Sequence, residues 1–204
     1  MADLDQYVDA RVSRSKFDRE LDEFRSLEAD YRRRGWFLLS AEFPRVEVLM
    51  AASQLTPPSL VLGVAVDYTN YDAEPPSVRL VNPFTSIPYL ASELPTRLDR
   101  DVAASQQIVI QVPPGMPKPK LLQPYMQWYS PDEVPFLCLA GVREYHRHPA
   151  HSGDAWELHR TSGAGRLVRI LEVIDRYGIE PIRAYSVQVQ LVPQITGFQA
   201  EPPP

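Results

Sequence analysis

The sequence predicts a single α+β domain, and three features of its apolar pattern lead to that class. Apolar residues recur every three or four positions over residues 13–34, which is typical of an amphipathic helix. The period changes to two from Trp36 onward, as in antiparallel strands, and a helical pattern returns over residues 163–177. With 204 residues, 44% of them hydrophobic, the chain can bury one sizeable core. The expected order is helix, β-meander, long insertion, helix and last strand.

The first helix is expected over residues 13–34. Its apolar stripe consists of Phe17, Leu21, Phe24, Leu27 and Tyr31. Ser13 or Ser15 is suited to cap its start, and Gly35 stands where a left-handed terminating residue belongs. The basic run Arg32–Arg34 falls in the last turn, where cations interact favourably with the negative helix end. A second interpretation of this run is a docking patch.

Strands are expected over residues 36–42, 45–51 and 60–68, and a fourth follows the double proline Pro75-Pro76. These strands form an antiparallel meander with one face toward the helix. The second helix, at residues 163–177, ends at Gly178, and residues 184–192 alternate as a last strand.

The chain is expected to form one domain with additions. Residues 1–12 form an N-terminal tail, residues 13–196 form the domain, and the proline-rich residues 197–204 are frayed. Residues 86–135 are treated as an insertion in the domain, carrying one extra strand at residues 107–112.

Charge and composition exclude several classes of protein. The net charge of -5 provides no basic field for a phosphate backbone, so nucleic acid is not an expected partner. No run approaches the roughly 20 apolar residues of a membrane span, and the acidic start is unlike a secretory signal. One cysteine cannot form an internal disulfide, which fits a reducing compartment. We therefore expect a cytoplasmic protein without a membrane partner.

All four histidines lie between His146 and His159, shortly after the only cysteine, Cys138. In an extended backbone Glu144, His146 and His148 would share one face, because side chains alternate with period two. Pro149 then bends the chain, so that further donors can complete a shell of sulfur, nitrogen and oxygen atoms that suits Zn²⁺. The predicted ligands are Cys138, Glu144, His146, His148 and His151. The remaining histidine and Asp154 would orient the ligating imidazoles.

Two other interpretations of the cluster stay open. The histidines can instead satisfy backbone carbonyls in a polar loop, while Cys138 packs between Leu137 and Leu139. Alternatively Cys138 is a nucleophile, since a nearby base or cation activates a partly exposed thiol. His146, His148 or Arg143 would then supply that base or charge.

Two short motifs resemble the ubiquitin-conjugating enzyme family. Residues 71–80 run from a tyrosine through Pro75-Pro76 into a strand, and Phe136-Leu-Cys138-Leu139 precedes a helix. The order of elements over residues 13–178 is similar to that fold as well. Cys138, Glu144 and the histidines further resemble a bacterial family predicted to bind metal through cysteine, glutamate and two histidines. Members of that family occur in operons for ubiquitin-like protein conjugation.

This resemblance implies acyl transfer through Cys138. The thiolate would accept a ubiquitin-like protein from an activating enzyme as a thioester and pass it to a target protein, with His146 or His148 as general base. Backbone amides near Gly141 would stabilise the oxyanion. The His-Pro-Asn tripeptide of conjugating enzymes is absent, and roughly 60 residues separate Pro76 from Cys138, which is why an insertion is expected.

That departure leaves an alternative within the same pathway. The chain would then be a zinc-binding structural or adaptor protein without transferase activity, recruiting partners through its first helix and Arg32–Arg34. Cys138 serves either as a metal ligand or as the nucleophile in these hypotheses.

Overall fold

The computed structural model describes residues 6–102, 115 and 120–186, and it has the predicted α+β class. Two N-terminal helices precede a four-stranded antiparallel sheet with the order β1-β2-β3-β4. The strands are β1 Trp36–Glu42, β2 Arg45–Ala52, β3 Ser59–Asp67 and β4 Ser77–Val81. The predicted strand at 107–112 lies outside the described residues.

The N-terminal helical region is divided into α1, Ala10–Ser26, and α2, Glu28–Arg34. The prediction of one helix starting at Ser13 is therefore wrong in two respects. Asp9 caps α1, because its carboxylate accepts the backbone N–H of Arg11, and Ser13 is buried inside the helix. Gly35 ends α2 in the left-handed conformation with φ 96°, as predicted.

The sheet presents one face to the helices because its side chains alternate. Leu38, Val48, Val64 and Leu80 face one another across all four strands, and the last three are nearly inaccessible to solvent. Phe37 and Leu39 of β1 lie on the opposite face and are exposed. The core therefore lies between the sheet and helices α1 and α4 (Leu167–Ile174).

The predicted insertion contains short strand pairs where the structure describes it. β5, Asp99–Asp101, pairs with β6, Leu122–Pro124, and β7, Met126–Gln127, pairs with β8, Phe136–Leu137. This last pair fixes the position of Cys138, which directly follows β8.

The chain after β8 is more irregular than the predicted single helix. Helix α3, Arg143–Arg147, is followed by three 3₁₀ turns before α4, and a π-helical turn, Asp175–Ile179, continues α4. Of the predicted last strand only residues 184–186 are described, and they form no strand; the rest of it and the frayed tail lie outside the described residues. Within the described residues no helix is both long and apolar enough to span a membrane.

Candidate functional site

The site is built around Cys138 at the end of β8. Its backbone N–H donates to the carbonyl of Tyr125 at 2.7 Å, which extends the β7–β8 pairing by one residue. Leu137 points into the core and is 1% exposed, whereas Cys138 is partly exposed. The strand thus turns the thiol outward while its neighbour anchors the backbone.

Arg143, the first residue of α3, connects the two motifs on which the family resemblance depends. Its Nε donates to the carbonyl of Pro75 at 3.1 Å, and its backbone N–H donates to the carbonyl of Pro76 at 2.9 Å. The guanidinium also reaches the Thr69 carbonyl and pairs with Glu74 at 3.0 Å. The side chain is 2% exposed, so this interaction is part of the interior.

The backbone of residues 143–147 is helical, so the expectation of an extended segment there is wrong. Successive residues of an α-helix are rotated by about 100°, and Glu144 and His146 therefore point to different sides. His148 follows the helix as its extended C-cap. The three side chains consequently do not line up on one face.

Glu144 is directed toward the sheet rather than toward Cys138. Its Oε1 pairs with Nη2 of Arg79 at 3.1 Å, and its Oε2 accepts the backbone N–H of Val78 at 3.3 Å. The hydroxyl of Ser77 also donates to this carboxylate. Glu144 therefore joins α3 to the beginning of β4.

His146 has a backbone carbonyl oxygen at each of its ring nitrogens. Nδ1 lies 2.8 Å from the carbonyl of Asp154, and Nε2 lies 2.6 Å from the carbonyl of Ala140. Carbonyls only accept hydrogen bonds, so both bonds form only when both nitrogens carry protons. In this arrangement His146 joins the loop after Cys138 to the turn at Asp154.

His148 is held by its own turn and by aromatic rings. The N–H of Ala150 donates to Nδ1 at 3.2 Å, so in the neutral ring Nε2 carries the proton and donates to the Tyr129 hydroxyl. The ring stacks on Phe136 with centroids 5.0 Å apart. Both nitrogens of this predicted base therefore have partners other than the thiol.

His151 is the histidine that contacts the thiol. Its Nε2 lies 3.5 Å from Sγ of Cys138, within hydrogen-bonding distance for sulfur. The 3₁₀ turn Pro149–His151 returns the chain toward β8, and this agrees with the predicted bend at Pro149. The imidazole also stacks on the ring of Tyr145, with centroids 3.9 Å apart and an angle of 22° between the ring planes.

Burial shifts the pKa of this thiol and of this imidazole, each in the direction that favours the uncharged form. It raises the pKa of Cys138 above 9.0, an effect that the charge of Arg100 partly opposes. It also lowers the pKa of His151 below 6.5, and His148 lowers it further. When Nε2 of His151 is unprotonated, the thiol can donate to it, and the imidazole can then take the thiol proton as the sulfur reacts.

The carboxylate of Asp154 connects Tyr145 and His159. Its Oδ2 accepts the hydroxyl of Tyr145 at 2.6 Å, and its Oδ1 lies 2.5 Å from Nε2 of His159. Burial, with the hydrogen bond to Asp154, raises the pKa of Tyr145 to about 12. Sequence reasoning missed Tyr145, because nothing in the local pattern shows that its ring stacks on His151.

The two backbone amides that follow Gly141 have partners within the chain. The N–H of Val142 donates to Leu139, and that of Arg143 donates to Pro76. The backbone at Gly141 itself approaches the carbonyl of Ala164 so closely that an added Cβ would lie 1.9 Å from its oxygen. This contact sets the course of the loop that follows Cys138.

Of the five predicted zinc ligands, the structure brings Cys138 and His151 into contact. Glu144, His146 and His148 form the other bonds described above. Within residues 6–102, 115 and 120–186, no three histidine, cysteine or acidic side chains are arranged to hold a metal ion.

The basic run at the end of α2 is compensated within the molecule. Arg32 pairs with Glu28 at 2.8 Å, and Arg33 pairs with Asp30. Arg34 reaches Asp175 at 2.8 Å. These ion pairs fit the helix-end interpretation of the run.

Comparison with known proteins gives the family of the chain. The model of the Y4jH-like family matches residues 8–182. The chain belongs to the Y4jH-like family. A relative from Sinorhizobium fredii (strain NBRC 101917 / NGR234), described as uncharacterized protein y4jH, is 39% identical over 196 residues, covering 91% of each chain. The matched region includes the whole histidine cluster.

Proposed function

We propose that this Y4jH-like protein transfers acyl groups through Cys138, with His151 as the general base. The contact of 3.5 Å between Sγ and Nε2 is the observation that carries the proposal. His151 takes the role that the sequence assigned to His146 or His148. The acyl group is the carboxyl terminus of a ubiquitin-like protein, supplied by an activating enzyme in the cytoplasm and passed to a target protein.

The reaction begins when the thiol proton of Cys138 moves to Nε2 of His151 as Sγ attacks the carbonyl carbon of the donor thioester. The donor carbon–sulfur bond then breaks, and the imidazolium returns the proton to the departing thiolate. An amine of the target next attacks the new thioester. The amine proton passes to His151, the bond between the carbonyl carbon and Sγ of Cys138 breaks, and the imidazolium returns the proton to the Cys138 thiolate.

The contact between the two motifs supports the ubiquitin-like substrate. In the family that the sequence resembles, a double-proline turn leads into a strand and the catalytic cysteine lies in a short segment after it, and here Arg143 joins Pro75 and Pro76 to the segment after Cys138. A cavity of about 380 Å³ is lined by Leu139, the residue after Cys138, and by Tyr125 and Tyr177 among others.

A short peptide with a carboxyl-terminal thioester tests the chemistry without a known partner. The wild-type chain should acquire one acyl group on Cys138, detected by intact mass and removed by excess thiol. Cys138→Ala should acquire none, and His151→Ala should react about a hundredfold more slowly. His148→Gln is the matched histidine control and should keep most of the rate. Equal rates for wild type and His151→Ala would overturn the role of His151.

The substrate class needs a separate experiment. The chain is incubated with a ubiquitin-like protein and an activating enzyme from the same bacterium, together with ATP. A thiol-labile adduct on Cys138 is expected. If that enzyme charges the ubiquitin-like protein but no adduct forms, the assignment to this pathway is wrong, even where the peptide thioester reacts.

Zinc binding by an adaptor is the competing proposal, and one observation favours it. Cys138 and His151 already present sulfur and nitrogen to each other, and the ring of His148 is centred 5.5 Å from that of His151. About one zinc per purified chain, lost in Cys138→Ala and His151→Ala, would support this role. A zinc-free chain that forms the acyl adduct would exclude it.

A further inference from the structure

We infer that Asp154 is a positioning residue that supports His151 when it takes the proton of Cys138. This inference deepens the proposed acyl transfer and rests on it. Asp154 acts through neighbouring groups, since its carboxylate oxygens contact Tyr145 and His159 rather than the thiol.

Four polar atoms of Asp154 each contact a different residue of the cluster. The backbone N–H donates to the carbonyl of His151 at 3.0 Å, and the backbone carbonyl faces Nδ1 of His146 at 2.8 Å. The two carboxylate oxygens hold the Tyr145 hydroxyl at 2.6 Å and His159 at 2.5 Å. One residue thus fixes the backbone of His151 and the ring on which its imidazole stacks.

The ring of Tyr145 transmits the effect of the carboxylate. A phenol that donates to a carboxylate gains electron density, and its ring face becomes more negative. The imidazole of His151 lies on that face, with centroids 3.9 Å apart. An imidazolium formed there is stabilised by the ring quadrupole.

The position of Asp154 makes this role testable. Its side chain is 32% exposed, so replacing the carboxylate by an amide opens no cavity in the core. Tyr145→Phe is a second route to the same question, because it keeps the stacked ring and removes the hydroxyl. Neither substitution alters Cys138 or His151.

Alkylation of Cys138 by iodoacetamide is the main measurement, since the chain has one cysteine and every alkylated product reports on it. Asp154→Asn should lower the rate about three- to tenfold, the equivalent of one hydrogen bond. Asp22→Asn removes the same charge from an exposed position on α1 and should leave the rate unchanged. Far-ultraviolet circular dichroism and the urea midpoint show that each variant is folded.

A double-mutant cycle separates positioning from a general loss of structure. Tyr145→Phe should slow alkylation by the same factor as Asp154→Asn, and the double variant should be no slower than either. Asp154→Glu retains the carboxylate and should recover most of the rate. A full rate in Asp154→Asn, or effects of the two substitutions that multiply, would overturn the inference.

The peptide thioester distinguishes the failure of this inference from that of the proposed function. In that assay Asp154→Asn should lower the maximal rate and leave the half-saturating concentration unchanged, because Asp154 does not contact the thiol. Acyl transfer that is indifferent to Asp154 overturns only the positioning role. Absence of acyl transfer with Asp154-dependent alkylation overturns only the proposed function.

Discussion

His146 and His151 are five residues apart, yet their ring nitrogens face different kinds of partner. Those of His146 face two backbone carbonyls, whereas Nε2 of His151 faces the thiol of Cys138. His146, like Arg143 and Gly141, holds neighbouring loops together, and these three residues form the structural side of the cluster. Cys138 and His151 form the second side, where the thiol is partly exposed. The comparison teaches that the partners of the two nitrogens, and not the residue type, decide what a histidine can do.

The structural side is tested most strongly at Arg143. Arg143→Met should lower the free energy of unfolding by about 4 kcal/mol, because it leaves buried carbonyls of Thr69 and Pro75 without a donor. Arg147→Met is the matched control: it pairs with the same Glu74 but is exposed, so its loss should stay below about 1 kcal/mol. Urea denaturation measures both. Equal losses would mean that burial does not separate the two arginines.

Gly141→Ala should cost the next largest amount, about 3 kcal/mol. The added methyl would lie 1.9 Å from the carbonyl oxygen of Ala164, so the loop after Cys138 must move. Gly153→Ala is the control within the same cluster, where a Cβ meets no atom within 4 Å. Thermal and urea unfolding of both variants check this, and a neutral Gly141→Ala would contradict the close approach.

His146 and His151 are compared directly by truncation. His146→Ala should lower the free energy of unfolding by about 2 kcal/mol, because the carbonyls of Ala140 and Asp154 lose their donor. His151→Ala should lower it by less than about 1 kcal/mol while slowing the alkylation of Cys138. Urea titrations and alkylation rates on the same samples give both values. The opposite ranking in stability would break the division into two sides.

Much of the fold could be predicted because it depends on local periodicity. β1 and β2 show the period-two pattern of strands, β3 is a continuous run of aliphatic residues, and Gly35 marks a helix end through its backbone freedom. The break at Leu27 gave no signal, since Phe24, Leu27 and Tyr31 keep helical spacing across it. Local spacing records which face is apolar and carries no information on a kink that preserves this face.

The sequence predicted which residues belong to the site but not how their side chains are paired. The position of Cys138 and the bend at Pro149 followed from the sequence, but the partner of each histidine depends on contacts between distant segments. Glu144 turns to β4 because α3 is helical, and the ring of Tyr145 reaches His151 only after the 3₁₀ turn forms. Such pairings are set by tertiary packing, which residue spacing alone does not specify.

The smallest expected effect is the pH dependence that His151 adds to stability. Its pKa in the folded chain lies below 6.5 because of burial and of His148, so folding favours the neutral ring. The stabilisation is present above pH 6.5 and is lost as the pH falls through the folded pKa. The wild type should therefore lose more unfolding free energy than His151→Gln on acidification, as urea titrations at neutral and mildly acidic pH would show. Parallel losses would mean that the imidazole is as well solvated when folded as when unfolded. Burial would then not favour the neutral form of His151 beside the thiol.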